Sequence, residues 1–410
     1  MKFAIIRERK SPPDRRVVFT PEQLSRLDLA FAKAEFIVES SPIRIFPDSQ
    51  YASHGIAVQE DVTVADVMIG VKEVPKEALI PNKKYFFFSH TIKKQPYNRE
   101  LLKTILDKKI ELYDHETITR ENGARLIGFG RYAGIVGAYN GFRALGLRDG
   151  LYNLPKVESL PDYAALKAQL KNIKNLLPAI NIAMTGNGKV AGGILEILKE
   201  LEIKELKPKE YLQLGQFKND QTTFTILDVE DYYTRKDGLQ PTKTECYNNP
   251  ELLASDFMKF AKVTDMLITG HFYGNNAPYF FTREDAKSPD FKISLVADVS
   301  CDIDGPIAST LRPSTIADPI YGYDAQGENE VAFKTPGSIT VMAVDNLPCE
   351  LPKDASEGFG EMFEKHVIPS FFNGDKDGIL ERAQMTTSDG KLTERFSYLH
   401  DYVYGEQTKF

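Results

Sequence analysis

Along the first third of the chain, short apolar runs alternate with amphipathic stretches. Runs ending at Ile6, Val71, Phe88 and Tyr113 read as strands, and residues 21–34 and 98–109 repeat their apolar positions at helical spacing. Thr20-Pro21 supplies an N-cap followed by a proline at the first helical position. Strands alternating with helices predict an α/β layer with a mostly parallel sheet. Gly134, Gly137, Ala138 and Gly141 fall in a long helical stretch, residues 131–147, and permit close packing. Residues 149–161 carry Gly150, Pro155 and Pro161 and read as connecting structure. A second α/β unit starts near Leu176. Its elements are a strand over 180–185, a helix over 192–201 with Ile194, Leu195, Ile197, Leu198 and Leu201 inward, and strands over 266–269, 293–297 and 339–344. From Glu357 onward the pattern is helix with loops, and the sequence contains no internal repeat and no low-complexity segment.

Composition narrows the class. At roughly 100–200 residues per domain, 410 residues predict two or three domains. With 42% hydrophobic and 27% charged residues, disorder is excluded and a sizeable core is expected. A formal net charge of −7 gives no footprint for a nucleic-acid partner. No apolar run approaches the roughly 18 residues of a membrane span, and the charged start, Met1 to Glu8, lacks the apolar core of a signal peptide. Cys246, Cys301 and Cys349 lie far apart and form no metal-ligand pair. These features predict a cytoplasmic protein with free thiols. They leave its oligomeric state open.

The run Thr185-Gly186-Asn187-Gly188-Lys189-Val190-Ala191-Gly192-Gly193 joins a strand to a helix. Glycines there allow a tight turn and let the backbone approach a pyrophosphate seated on the helix N-terminus. The strand before and the helix after favour this reading, with a flexible turn in an ordinary βα unit as the alternative. An acid about 20 residues on would read the adenosine ribose. Here the strand is expected to end at Lys207, and a lysine would favour a 2′-phosphate. The cofactor expected is NAD(P), with NADP favoured, and Glu205 is the alternative ribose acid.

Charged residues gather where strands end. Arg7 and Glu8, Lys72, His90, and Asp114, His115 and Glu116 follow strands of the first unit. His271, Asp298, Asp302, and Asp345 with Asn346 follow strands of the second. Singly, each is as well explained by a solvated loop charge or a satisfied histidine. Together at one sheet edge, a lysine, a histidine and a carboxylate could supply both partners of acid–base catalysis. Arg16 and Arg125 could clamp carboxylates, with plain surface charge as the alternative.

These segments resemble a known family. Pro13-Asp14-Arg15-Arg16-Val17-Val18-Phe19-Thr20-Pro21, Gly70-Val71-Lys72-Glu73-Val74-Pro75, Phe88-Ser89-His90 and the run from Leu311 to Tyr321 are similar to motifs shared by alanine dehydrogenase, the transhydrogenase nucleotide subunit and saccharopine dehydrogenase. Thr185 to Val190, Asp298-Val299-Ser300-Cys301-Asp302 and Asp345-Asn346-Leu347-Pro348 resemble the lysine-ketoglutarate reductase part of the bifunctional aminoadipic semialdehyde synthase. The resemblance implies two Rossmann-like domains with parallel sheets and a cleft between them. The substrate domain would take residues 1–140 and 347–410, and the dinucleotide domain residues 141–346. The family's lysine–histidine pair falls on Lys72 and His90, its nearby glutamate on Glu116, and its cleft aspartate on Asp302. Its carboxylate-binding arginines fall on Arg16 and Arg125. Gly186, Asn187, Gly188, Lys189, Val190, Lys207, Asp298 and Asn346 would meet the cofactor. The implied reaction interconverts saccharopine with lysine and 2-oxoglutarate. An alanine-dehydrogenase-like or other opine-type enzyme is one alternative, and a non-catalytic nucleotide-binding protein on this fold is another.

Overall fold

The structure is a computed structural model and describes residues 1–216, 220–274 and 276–405. The chain divides into two compact units, residues 1–129 with 352–410, and residues 130–351.

Among the described residues, the first unit holds one sheet of β1 (Lys2–Ile5), β2 (Glu35–Glu39), β3 (Ala57–Gln59), β4 (Val67–Ile69), β5 (Lys84–Phe87) and β6 (Glu111–Asp114). Their order is β3-β2-β1-β4-β5-β6, and every neighbouring pair is parallel. Alternation along β1 feeds two cores, since successive side chains of a strand point to opposite faces. Phe3 and Ile5 join Phe36, Phe86, and Phe359 and Phe363 of the helix Pro352–His366. Ala4 and Ile6 join Met68, Tyr85, Phe87 and the helix Arg99–Asp107. Phe359 and Phe363 are fully buried, and each such ring contributes about 1.5–3 kcal/mol of hydrophobic stabilisation. The C-terminal segment thus completes the first sheet's core. The predicted cap is present: Thr20 and Gln23 form a capping box at the start of the helix Pro21–Ala30. Strand order reverses between β1 and β4, so the loops that leave these strands diverge and open a crevice at their carboxyl ends.

Among the described residues, the second unit's main sheet is built from β7 (Asn181–Thr185), β8 (Lys204–Glu205), β9 (Thr223–Leu227), β12 (Met266–Thr269), β13 (Leu295–Asp298), β14 (Ile320–Asp324), β15 (Asn329–Val331) and β16 (Ile339–Met342), beside a small antiparallel pair of β10 (Tyr233–Arg235) and β11 (Leu253–Ser255). The order is β15-β14-β16-β13-β12-β7-β9-β8. Six of these strands run parallel, but β14 and β15 form an antiparallel hairpin on one edge. This sheet is therefore mixed at that edge and parallel elsewhere, in keeping with the mostly parallel α/β architecture expected.

Two local expectations shift. The glycine-turn helix begins at Lys189, with Gly188 at its N-cap, and not at Gly192. Gly193 lies inside the helix because a Cβ there would sit 1.9 Å from the Arg131 carbonyl oxygen. A Cβ on Gly134 would sit 2.0 Å from the Val190 carbonyl oxygen. The helices Gly130–Asp149 and Lys189–Glu200 thus touch backbone to backbone at these glycines. The second shift concerns Lys207. Its strand ends at Glu205 and lies on the sheet edge, separated from β7 by β9. Among the described residues, no helix is long and apolar enough to cross a membrane.

Candidate active site

In the first unit, the crevice beside β1 and β4 is built on one carboxylate. Glu8 accepts hydrogen bonds from the backbone amides of Val71 (2.7 Å) and Lys72 (2.9 Å). The Phe88 amide donates to the Val71 carbonyl (3.0 Å), and the His115 Nε2 lies 2.7 Å from the Gly70 carbonyl oxygen. Lys72 therefore rises from a backbone held on both sides. Burial pushes the Glu8 carboxyl up to about 7 despite its two amide donors. Burial also pushes the His115 ring down to about 4, so it is neutral at pH 7 and its Nε2 donates to Gly70. The ring is enclosed by Phe88, Phe359 and Phe363. Its reading as a strand-end polar residue resolves into a structural clamp.

The Glu8 shift fixes the sign of a pH effect. A carboxyl raised from 4.5 to about 7 holds its proton more tightly in the fold than in the unfolded chain. Stability from this group is complete below about pH 4.5 and is lost as pH rises through 7. Glu8→Gln should remove that decline, which amounts to on the order of 3 kcal/mol. Comparing denaturation midpoints at pH 5 and 7.5 checks this. A variant whose midpoint falls with pH as steeply as the wild type would disprove it.

His90 stands at φ +55°, a left-handed conformation that is uncommon outside glycine and is often stored at functional sites. Its loop is fixed from below by fully buried Asp114, which accepts from the Ser89 amide (2.8 Å), the Ser89 hydroxyl and the Glu116 amide (2.7 Å). Burial pushes the Asp114 carboxyl up to about 6. Glu116 sits 3.8 Å from His90 Nδ1 and 2.9 Å from Arg125 Nη2. Burial would raise the Glu116 carboxyl, but the His90 ring and the Arg125 guanidinium override it and hold it at about 2. His90, Glu116 and Arg125, predicted from separate places in the sequence, form one charged cluster.

Arg16 is buried and makes a two-pronged pair with Asp14, through Nε at 3.0 Å and Nη2 at 2.7 Å. Its guanidinium lies 4.2 Å from the Phe129 ring centroid. Burial pushes the Asp14 carboxyl up, but Arg16 and Lys72 pull it down to about 2. Arg16 is thus a rigidly aimed cation, not a solvated surface charge. Asp14 and Glu73 were given no role by sequence reasoning. Glu73 pairs with Lys10 at 2.5 Å, and its Oε2 is buried with no hydrogen-bond partner. Burial raises the Glu73 carboxyl, while Lys10 and His90 bring it below its ordinary value.

The second unit presents the glycine turn. Gly186 has φ +92°, and a Cβ there would lie 2.5 Å from the Gly270 carbonyl oxygen. A Cβ on Gly188 would meet nothing within 4 Å. Gly188 is the N-cap of a twelve-residue helix and carries no side-chain cap. Asn187, Gly188 and Lys189 are exposed, and Val190 is half-buried. Open space in front of uncapped helix amides fits a pyrophosphate. His271 Nδ1 lies 2.8 Å from the Thr185 hydroxyl, and burial pushes its ring down to about 3, so it braces the turn as a neutral group.

Three further residues expected at the cofactor, Lys207, Asp298 and Asn346, stand in distinct settings. Lys207 is the exposed N-cap of the helix Pro208–Tyr211 beyond the edge strand, so it does not flank the turn. The strand beside β7 is β9, and the residue after it is Asp228, whose Oδ2 accepts from Asn187 Nδ2 at 2.6 Å. Asp228 thus follows the strand next to β7, where sequence reasoning had placed Lys207 or Glu205. Asp298 is 1% exposed, and both its oxygens are engaged internally, by Thr269 and Thr310 hydroxyls at 2.6 Å each and by the Cys301 amide at 3.0 Å. It brackets the loop that carries half-buried Asp302. Asn346 is half-buried, and its carbonyl accepts from the Cys349 amide at the start of a 3-10 turn.

Residues 4–136 match the family model described as the alanine dehydrogenase/PNT N-terminal domain. The chain is 30% identical to alpha-aminoadipic semialdehyde synthase, mitochondrial, of Mus musculus, over 97% of this chain and 47% of that protein. It therefore spans about half the length of that relative. It is 25% identical to a saccharopine dehydrogenase (NAD+, L-lysine-forming) of Yarrowia lipolytica, over 87% of this chain and 89% of that one. A solved L-alanine dehydrogenase superposes with a TM-score of 0.66 at 15% identity, covering 98% of this chain and all of that chain, which is a likeness of fold.

Proposed function

We propose, from its similarity to aminoadipic semialdehyde synthases and saccharopine dehydrogenases and from its alanine dehydrogenase/PNT N-terminal domain match, that this chain is an NAD(P)-dependent oxidoreductase interconverting saccharopine with L-lysine and 2-oxoglutarate. The observation that carries this reading is the clamped Lys72 loop beside the His90–Glu116–Arg125 cluster. The first unit supplies the substrate groups and the second the dinucleotide site.

The nicotinamide, when bound, accepts or returns a hydride at the glutamate-side carbon of the substrate. What remains is proton work and charge binding by the protein. Oxidation of the secondary amine leaves an imine. Water adds to it, and the carbinolamine collapses to lysine and 2-oxoglutarate. Each step moves a proton on nitrogen or oxygen, which Lys72 and His90 serve. Glu116 stays ionised beside the His90 ring. Arg16, aimed by Asp14, and Arg125 bind substrate carboxylates. The family resemblance also assigns Asp302 a part in the chemistry. Gly186, Gly188 and the amides of the following helix cradle the pyrophosphate, and Asp228 reads the adenosine ribose. With Lys207 removed from that position, the basis for favouring NADP at Lys207 is gone. Three free thiols suit a reducing compartment such as the cytoplasm.

A nicotinamide absorbance assay tests the reading. Reduced cofactor should be consumed when lysine and 2-oxoglutarate are supplied together, and not with pyruvate and ammonia. Turnover with pyruvate and none with lysine would replace this function with an alanine-dehydrogenase-like one.

A further inference from the structure

Asp228 is not a bare acid. Its Oδ2 accepts from Asn187 at 2.6 Å and is also paired with the ammonium of Lys243, while its Oδ1 accepts from the Val229 amide at 2.8 Å. Lys243 opens the short helix Lys243–Asn248, in the segment between the β10–β11 pair, and no part of the glycine-turn motif encodes it. A carboxylate at the end of the strand beside the turn takes the ribose hydroxyls of NAD and repels a 2′-phosphate. Here a cation shares that carboxylate. An ammonium within hydrogen-bond reach of Asp228 lies within reach of whatever occupies the 2′-position of a ribose bound there.

From this we propose that Lys243 is a specificity-determining residue: paired with Asp228 it lets the site read a 2′-hydroxyl, and turned to the ligand it accepts a 2′-phosphate. The inference rests on the reading of the glycine turn as a dinucleotide site. The pair is suited to such a switch. The Lys243 side chain is 41% exposed, and exposed ion pairs contribute little, so it costs little to release. A lysine ammonium is a flexible point charge with three donors, free to swing between two acceptors. The 2′-phosphate brings about two negative charges, which outbid one carboxylate for the ammonium. Asn187 remains on Asp228 in both states and keeps the acid in place. The site so built discriminates weakly between the two cofactors.

Binding of NADH and NADPH, each measured by calorimetry on the full chain, tests this without relying on turnover. The wild type should bind both within about tenfold. Lys243→Ala should lower the NADPH/NADH affinity ratio on the order of 10- to 100-fold, the usual worth of a charge-assisted hydrogen bond. Lys243→Arg should keep most of the ratio. Raising salt should erode NADPH affinity in the wild type more than in Lys243→Ala. An unchanged ratio in Lys243→Ala, with NADH still bound, would overturn the role of Lys243 and leave the dinucleotide site standing. Wild-type protein that binds neither cofactor would overturn the dinucleotide reading and this inference with it.

Discussion

Lys72→Met is expected to lower kcat/KM by about 10²–10⁴, and His90→Gln to do the same, while dinucleotide affinity barely moves. Each change removes a proton-carrying group but leaves its backbone support intact. Lys72 is held through its amide by Glu8, and the His90 loop is held by Asp114 through Ser89. The variants should therefore fold normally. In the wild type, the pH profile of kcat/KM should show two ionisations, one lost in each variant. The double variant should lose less than the product of the single losses, because the two groups serve one proton path. Near-wild-type turnover in folded single variants would show that this pair is structural.

Gly186→Val should abolish dinucleotide binding and also lower stability by about 2–4 kcal/mol. The backbone at φ +92° is strained for any side chain, and the added carbon would collide with the Gly270 carbonyl, which belongs to the neighbouring strand's exit. Gly188→Val separates the two effects. Its Cβ would meet no heavy atom within 4 Å, so the fold should hold, while the branched side chain would crowd the space before the helix amides and binding should vanish. Calorimetric titration and thermal melting of both variants give the comparison. If Gly188→Val binds as tightly as wild type, the pyrophosphate does not sit there.

Much of this site was readable because strand ends are readable. Lys72, His90, Glu116 and Asp302 each follow an apolar run, and parallel sheets gather such residues at one edge. The glycine turn was readable because its φ requirement constrains residue type directly. Asp228 was missed for a topological reason. The short strand at 204–205 comes first in the chain but lies at the sheet edge, and β9, inserted between it and β7, takes the inner place. Asp228 therefore stands 41 residues from Asn187, not about 20 from the turn. One signal was present: Asp228 directly follows the apolar run of β9, the same rule that located the others. Asp14 and Glu73 were missed because a carboxylate beside basic residues looks like surface charge. Their burial arises from packing partners distant in sequence, which spacing does not encode.

The division of the chain also sets an order of folding. Residues 130–351 form one uninterrupted stretch and can pack as soon as they emerge from the ribosome. Residues 1–129 emerge first but cannot finish. Phe3 and Phe86 must wait for Phe359 and Phe363, which are made more than two hundred residues later. Until then that face of the first sheet is covered only in part, by residues such as Leu24 and Leu27 of the helix Pro21–Ala30. Of the two units, the one whose first segment is made earlier is the later to close, because its sheet recruits the helix Pro352–His366 only after residues 130–351 have been made.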